Sequence, residues 1–533
     1  MSTIPVPRRE KRWAPPLGAA ITALVGLVNI ASALTPDIRW RGHLLLQFEA
    51  LETMRMFHAI ALPAGAALLL VAPYLLKRRR RALIAAIGLM LALGLVNLLK
   101  GLDWEEALLG WATAGLLCLG RGAFDVEHDP ISLRSAVWRA PLLIGAGASV
   151  AVLAAWTSQP DAAQAIAVAT LLALGYVIFR PLAGPRALPV PAVRNLAAEL
   201  IKEHGRDTLS FFKLRGDKQL FFSEDGSSFV GYRIEAGVML LSGDPVGPPD
   251  AFAELLKQVR EFARVRGLRL GAVGASPRVL PLYETLGLKT IYLGDEAVID
   301  VQKFSLEGRP IRKVRQSVHR LTKAGYTSEL RTLADLEPAT LEEIERVLEL
   351  GQQGAPERGF SMAMDSIRGP HEEDTLFVIA RDEHEKIRGV LHFVPCYGRP
   401  AVSLSFMRRD PDTPNGLTEF LVTEAVVHLR ERGLEEMSLN FATAARFMHS
   451  PGNPIESTIG TLARKLNRFF QIESLYKFNA KFFPRWEPRY FVYEGRLGIF
   501  RGFVAAMWAE GQLPKPSPPR LTARRRPLRL ARG

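Results

Sequence analysis

Apolar runs follow one another through the first 180 residues, and they fix the setting of everything that comes after. Six stretches, roughly 17–34, 57–76, 82–99, 104–120, 138–156 and 162–179, each approach the ~20 residues that a helix needs to cross ~30 Å of hydrocarbon. A segment in lipid must satisfy its own backbone polar groups, so such runs read as α-helices. The fourth is the least apolar, because Asp103, Glu105 and Glu106 crowd its start. The first reads as a span and not as a secretory leader, since no small-residue cleavage site stands out and further spans follow. The span cores carry almost no ionisable residues, which leaves a transport role with the least support.

The cations orient these spans. Arg8, Arg9, Lys11 and Arg12 precede the first, "KRRRR" at 77–81 separates the second from the third, and Arg121, Arg134 and Arg139 flank the loop before the fifth. Arg180 and Arg186 follow the sixth, while Arg39, Arg41 and Lys100 dilute the contrast on the other side. The excess of positive charge on cytoplasmic loops places both termini and the soluble region in the cytoplasm. "KRRRR" is then a topology anchor, compatible with contact to anionic headgroups. The net charge of +14 and pI near 9.9 favour anionic partners: lipid headgroups, nucleic acid, or both. Only Cys118 and Cys396 occur, neither at metal-ligand spacing, and "HEED" at His371 lacks the second histidine of a zinc helix. A disulfide framework is excluded, and no metal or cofactor is expected.

After a Pro-rich linker at 181–193 the pattern changes to short β-rich runs alternating with amphipathic helices. "KQLFFS", "SFVGYRIEAG" and "VMLLSGDP" read as consecutive strands, "DAFAELLKQVREFARVRG" as a helix with Asp250 near its start, and "LRLGAVGA" as a further strand. A second copy follows: "VMLLSGDP…RGLRLGAV" corresponds to "VSLSFMRRDP…RGLEEMSL", with Asp244-Pro245 to Arg266-Gly267 spaced like Asp410-Pro411 to Arg432-Gly433. The expectation is an α-helical membrane domain of about six transmembrane helices at 1–180, then an α/β soluble region of two tandem GNAT-like domains at 194–325 and 326–495, then a C-terminal helix and basic tail at 496–533. The acyl-CoA loop of ordinary GNAT enzymes is absent at both strand-to-helix junctions, where "GDPVGP" and "RRDPDTPNG" stand instead.

Near the end, "LYKFNAKFFPRWEPRYFVYEG" at 475–495 interleaves aromatic rings with Lys477, Lys481, Arg485 and Arg489, and Pro484 and Pro488 prevent it from being one helix. Rings beside cations suit a single-stranded RNA end, whose bases stack and whose phosphates pair. The alternative is that the rings are core and the cations reach out to solvent. "RPIRKVRQSVHRLTKAG" at 309–325 carries Arg315 and Arg320 on a basic helix, readable as a nucleic-acid track, a lipid-facing surface or a solvated face.

Together these segments resemble the catalytic domain of the aminoacyl-phosphatidylglycerol synthases, which include the multiple peptide resistance factor and its lysyl-phosphatidylglycerol relatives. The match covers about 205–495 and rests on "GDPVG" at 243–247, "IRKVRQSVHRLTKAGY" at 311–326, "SLSFMRRDPDTPNGLTEFLV" at 403–422, "SLNFA" at 438–442 and "YKFNAKFFPRWEPRYFVY". The resemblance implies aminoacyl-tRNA as donor and phosphatidylglycerol as acceptor, with a lysyl or alanyl group transferred by transesterification. It implies catalytic roles for Arg408, Glu419 and Lys481, with Lys481 near the leaving oxygen or oxyanion and Glu419 as general base or partner of the donor amine. Asp244, Arg315, Arg320, Asn415, Gly416, Asn440, Tyr476, Lys477, Trp486, Arg489 and Tyr490 are the implied substrate-binding set. Asn415 and Gly416 open a helix whose N-terminus suits a phosphate or oxyanion. Bland alternatives stand beside several of these: Arg408 paired with Asp410 or Asp412, Glu419 as a surface glutamate, Asn440 as a satisfied strand end. Ser405 departs from the family, which commonly has an acidic residue there, and this leaves the donated amino acid open. Two other readings remain: an acyltransferase with a non-tRNA donor such as acyl-CoA, and a non-catalytic membrane-anchored protein binding RNA or lipid.

Overall fold

The computed structural model describes residues 13–34, 51–101, 103–126, 179, 189–352, 359–369, 371–443, 472–495 and 498–513. Residues 1–186 with 261–268 form one compact unit, and residues 187–260 with 269–533 form another.

In the first unit, α1 (Ala14–Leu34), α2 (Leu51–Leu76), α3 (Arg80–Gly101) and α4 (Trp104–Leu119) pack side by side. Their buried faces share Val25, Leu68, Val71, Met90, Leu93 and Leu117. Leu24, Leu27, Ile84, Leu91 and Leu95 remain exposed on the outside. Small residues set the closest crossing: a Cβ on Gly26 would lie 2.9 Å from the Gly65 carbonyl oxygen, and one on Gly65 3.0 Å from that of Gly26. A buried hydrogen bond of 2.8 Å from Asn97 Nδ2 to Asn29 Oδ1 ties α3 to α1. Among the described residues, Ala14–Ala31 and Arg80–Leu98 are long and apolar enough to cross a membrane; Ala64–Leu76 is a shorter apolar helix. The fourth expected span corresponds to α4, sixteen residues with Glu105 and Glu106 in its first turn. The fifth and sixth expected spans, apart from Phe179, lie outside the described residues.

The second unit is built on one sheet of eleven strands, in the order β1-β2-β3-β4-β11-β5-β10-β9-β8-β7-β6. The three expected opening strands are β1 (Gln219–Phe222), β2 (Phe229–Glu235) and β3 (Val238–Ser242), and β4 is Arg269–Ala275. β3 is buried at every position, which is why "VMLLS" reads as an unbroken apolar run. Between β3 and β4 runs α6 (Phe252–Val265), entered through a tight turn at Pro249–Ala251 that contains Asp250; α5 (Pro191–His204) precedes β1. After β4 come α7 (Leu280–Thr285), β5 (Lys289–Asp300) and α8 (Arg312–Lys323). The second copy then supplies β6 (Thr327–Thr332), α9 (Pro338–Gln352), β7 (Leu376–Arg381), β8 (Ile387–Cys396), β9 (Ala401–Arg409), α10 (Leu417–Glu431), β10 (Glu436–Thr443), α11 (Ile472–Ala480) and β11 (Arg485–Tyr493). α12 (Gly498–Ala509) closes the described chain and packs on Val238, Leu240 and Phe491.

The two expected copies are interleaved at their last strands. β11, from the second copy, lies between β4 and β5 and is antiparallel to both; β5, from the first copy, is also antiparallel to β10. Neither copy completes its sheet without the other. Two positions share a left-handed backbone. Gly274 has φ +80° and Asn440 has φ +78°, and each lies seven residues beyond the Arg-Gly that follows its helix. The left-handed region is costly for a residue with a Cβ. At Gly274 a Cβ would also approach Leu209 Cδ1 to 2.9 Å. Gly274→Ala is expected to lower stability by about 1–2 kcal/mol, measured by urea unfolding.

Candidate active site

β9 and β10 run parallel and pair only from Ala401 to Ser403 against Glu436 to Ser438. Beyond that point they part, and two irregularities mark the parting. β9 bulges at Ser405, between the partners of Phe393 and His392, and β10 shifts register on β5 between Ser438 and Phe441. Asn440 stands at the mouth of the gap. Its Nδ2 donates to Leu404 O at 2.8 Å and to Met362 O at 3.0 Å, while its Oδ1 is buried and accepts nothing among the described residues. Ser405 Oγ accepts the Met364 N–H at 3.0 Å on the same side. Asn440 therefore combines the two readings open in the sequence: its amide holds the strand ends, and one acceptor oxygen remains.

α10 begins beside this gap and α11 packs against β10, with Asn479 Nδ2 reaching Leu439 O at 3.5 Å. Two residues further on, Lys481 Nζ meets Glu419 Oε1 at 2.7 Å; the side chains are 42% and 17% exposed. Lys481 also lies 5.2 Å from the centre of the Phe478 ring. Tyr476 stacks on Trp486 with ring centres 4.7 Å apart, and Phe482 is fully inside the core. The structure thus brings together Glu419, Lys481, Tyr476 and Trp486, with Lys477 exposed on the same short helix. An ammonium beside a carboxylate, within reach of a parted strand pair, can stabilise a developing oxyanion and relay a proton.

Other expected site residues are placed elsewhere. Arg408 faces away from α10: beyond the Ser405 bulge its stem lies against Gly351 of α9, opposite the face that α10 covers. Burial lowers its pKa, and its guanidinium donates to its neighbour Met407 O at 3.0 Å. It does not pair with Asp410, which holds Arg388 at 3.0 Å. Arg409 is the arginine that turns toward the α10 entry, donating to Thr413 Oγ1 at 3.0 Å. The start of α10 is not an open anion site. Arg320 Nη2 donates to Asn415 O at 2.6 Å, and a Cβ on Gly416, which has φ +100°, would meet that nitrogen and Ser317 at 2.8 Å. Arg315 likewise turns onto the Leu306 and Gly308 carbonyls at 2.5 and 3.1 Å. Both arginines hold loops in place, because backbone carbonyls left without partners lie within their reach. Tyr490 meets Tyr292 edge-on, with centres 6.2 Å apart, away from the Tyr476–Trp486 pair.

Arg489 and Asp244 belong to a buried ionic network that sequence reading did not find. Arg489 is 2% exposed; its Nη2 reaches Glu296 Oε2 at 2.5 Å, Asp207 Oδ1 at 2.7 Å and Thr208 Oγ1 at 2.9 Å. Glu296, wholly buried, also accepts Ser438 Oγ at 2.5 Å. Burial alone would lower the pKa of Arg489, but Asp207 and Glu296 raise it well above the usual range. Asp244 accepts Ser276 N at 2.8 Å and Ser276 Oγ at 2.5 Å, and burial followed by the charge of Asp207 raises its pKa. Lys218 donates to Phe212 O at 2.7 Å and Ser242 Oγ at 2.8 Å, whereas Lys213 Nζ is buried with no partner among the described residues. The one available signal was local: "SFFKLRGDKQLFF" sets two lysines inside an apolar run.

Burial, only partly offset by Asp207 and Asp244, pulls Lys213 down to about 8 from 10.5. A lysine depressed in the folded state costs stability while the unfolded chain binds the extra proton, so the cost is full below pH 8 and fades toward pH 10.5. Lys213→Met is therefore expected to stabilise the protein by about 3 kcal/mol at pH 7, an advantage that shrinks across that window in urea melts at stepped pH.

The family described as phosphatidylglycerol lysyltransferase, C-terminal, matches residues 198–493. A lysylphosphatidylglycerol biosynthesis bifunctional protein from Nocardia farcinica is 32% identical over 94% of this chain and 45% of its own length. Its counterpart in Rhodococcus opacus is 34% identical over 64% of this chain and 31% of its own length. The chain thus spans less than half the length of these curated relatives. A crystal structure of a C-terminal DUF2156 domain from Agrobacterium fabrum has 26% identity and a TM-score of 0.53, covering 60% of this chain and 98% of that one. L-PGS from Bacillus licheniformis, at 20% identity and a TM-score of 0.55, covers 62% of this chain and 99% of that one, and shares the fold. With more than half of its residues matched, from the first helix of the second unit to the last strand of the sheet, the chain belongs to the phosphatidylglycerol lysyltransferase C-terminal family.

Proposed function

We propose that this protein is a membrane-bound aminoacyltransferase that moves an aminoacyl group, lysyl or alanyl, from aminoacyl-tRNA to the glycerol hydroxyl of phosphatidylglycerol. The observation that carries the reading is the Glu419–Lys481 pair at 2.7 Å beside the parted ends of β9 and β10. The lipid hydroxyl attacks the ester carbonyl, a new C–O bond forms, and the terminal ribose oxygen of the tRNA leaves. Glu419 takes the hydroxyl proton, which passes to the departing ribose oxygen, and Lys481 faces the oxyanion between the two steps. Asn440 Oδ1 is the acceptor for an N–H or O–H of the donor, and Tyr476 and Trp486 offer a face for the terminal base. Ser405 brings no charge to the gap, which fits an uncharged donor side chain as well as a lysyl one.

About six spans within residues 1–180, both termini in the cytoplasm and two GNAT-like copies at 194–325 and 326–495 complete the reading. The enzyme then works at the inner face of a bacterial membrane, where its product lessens the negative surface charge. The test supplies purified protein in phosphatidylglycerol vesicles with tRNA charged by one labelled amino acid at a time. Label is expected in the lipid fraction from one or two aminoacyl-tRNAs, and none after RNase treatment. No transfer from any charged tRNA, or equal transfer from an acyl-CoA, would sink the reading.

A further inference from the structure

Residues 359–369 form a strap that joins no helix or strand, so its backbone polar groups have no ladder to satisfy them. Residues from elsewhere hold it. Glu510, which follows α12, takes the near end: its Oε2 accepts the Phe360 N–H at 2.6 Å, and its Oε1 accepts the Ser361 N–H at 3.2 Å and the Ser361 hydroxyl at 2.7 Å. The Gly359 N–H donates to the Glu510 carbonyl at 3.2 Å. Further along, Arg215 Nη1 donates to Ala363 O at 3.0 Å, and Asp365 Oδ1 accepts the Gly216 N–H at 3.1 Å. Between these ties lie the two contacts with the gap. Met362 O accepts Asn440 Nδ2, and the Met364 N–H donates to Ser405 Oγ, both at 3.0 Å.

Packing and hydrogen bonding hold the strap differently. Phe360, Met362 and Met364, at alternate positions, are buried: Phe360 among Val238, Leu240 and Phe491, the methionines among Phe211, Phe212 and Phe229. Such burial is non-directional, and a methionine fills its space in several ways. It keeps the strap against the sheet without fixing where a carbonyl points. Directional bonds do that, and the tie that immediately precedes Met362 is the one to Glu510.

Asn440 depends on that carbonyl. Its Nδ2 faces both Met362 O and Leu404 O, and this pair of acceptors keeps the amide oxygen turned the other way, buried and unbonded among the described residues. With one acceptor displaced, the amide can rotate and Oδ1 loses its direction. We propose that Glu510 is a positioning residue of the gap: through Phe360 and Ser361 it fixes Met362 O, and Met362 O fixes the direction of Asn440 Oδ1. Glu510 itself touches no reacting atom. The proposal rests on the reading of Asn440 Oδ1 as the acceptor for a donor N–H or O–H.

Glu510→Gln tests this with little change in volume. Glutamine has one acceptor oxygen and one NH2 group, so either Phe360 or Ser361 meets a donor with a donor. In full-length protein, kcat for aminoacyl transfer into phosphatidylglycerol vesicles is expected to fall at least tenfold. KM for the lipid is expected to stay within twofold, because Asn440 serves the tRNA ester and not the lipid. In an Asn440→Gly background, where φ +78° suits glycine, Glu510→Gln is expected to have no further effect. An equal fall in both backgrounds would make Glu510 a structural residue only and overturn the proposal. Gly359→Ala is the second variant. Its φ of +116° and a Cβ 2.5 Å from that of Ala363 force the start of the strap to shift, so the same loss is expected with Glu510 intact. Parental rates in both variants overturn the proposal. Hydrogen exchange across residues 360–365, followed by mass spectrometry, separates it from the transfer reading. Glu510→Gln is expected to speed that exchange at least tenfold. Unchanged exchange overturns the strap link whatever the transfer rate. Faster exchange in a protein that accepts no charged tRNA upholds the link and removes the transfer reading.

Discussion

On the proposed function, Lys481→Met is expected to lower aminoacyl transfer by about 10²–10³-fold, the usual effect of removing one donor from a developing oxyanion. The side chain is 42% exposed and its partner Glu419 17%, so as an ion pair the two contribute at most about 1 kcal/mol to stability. Rate and stability therefore separate: kcat falls while the melting temperature stays within a few degrees. Glu419→Gln, which keeps the shape and removes the proton acceptor, is expected to lose about 10²-fold or more. Because the two groups act on one proton and one oxyanion, the double variant should be little worse than the slower single one. If Lys481→Met keeps a third or more of the rate, the pair is an ordinary surface contact and the catalytic assignment fails.

Arg489→Met is expected to produce a large loss of stability. Methionine fills much of the volume, but it leaves Glu296 and Asp207 as buried carboxylates without their cation. Removing one partner of a buried pair costs about 3–5 kcal/mol, a large share of what holds a domain folded. Urea melts followed by tryptophan fluorescence measure it. The companion Arg489→Met with Glu296→Gln should recover part of the loss, because one uncompensated charge has gone. A single variant within 1 kcal/mol of the parent would show that water reaches the network and that Arg489 is not the pin between the copies.

Much of this fold is written locally. The opening strands, the helix between β3 and β4 and the Asp-Pro to Arg-Gly spacing are periodicity and punctuation, and the structure places the elements where they read. Pro488 is legible too: it lies in β11 before that strand meets β4 at Tyr490, so its missing N–H removes no bond on the β4 side. Facing is less legible. Arg408 and Arg409 are neighbours in "MRR", yet the bulge at Ser405 decides which of them turns to α10, and a bulge depends on the partner strand. Arg489 was expected in the substrate-binding set because the resemblance implied it, and nothing in its own stretch of sequence shows that it is buried. Its partners Asp207 and Glu296 lie some 200 to 280 residues away in sequence and meet it only once the sheet is complete. Lys481 and Glu419, 62 positions apart, were each in the set implied by the resemblance, and their contact arises only once α11 is packed on β10.

The interleaving of last strands also sets a timetable for biosynthesis. As the chain leaves the ribosome, β4 and β5 emerge with no strand to bridge them, and their edges stay bare until residue 493 has been translated. A bare edge is a template for the wrong partner. Several tens of seconds of translation separate β5 from β11 at the slower end of ~5–20 residues per second. During that interval the first of these segments is expected to need a chaperone to stay out of intermolecular pairing. A stop codon anywhere before β11 should therefore give an aggregating, rapidly degraded fragment and not a half-sized enzyme.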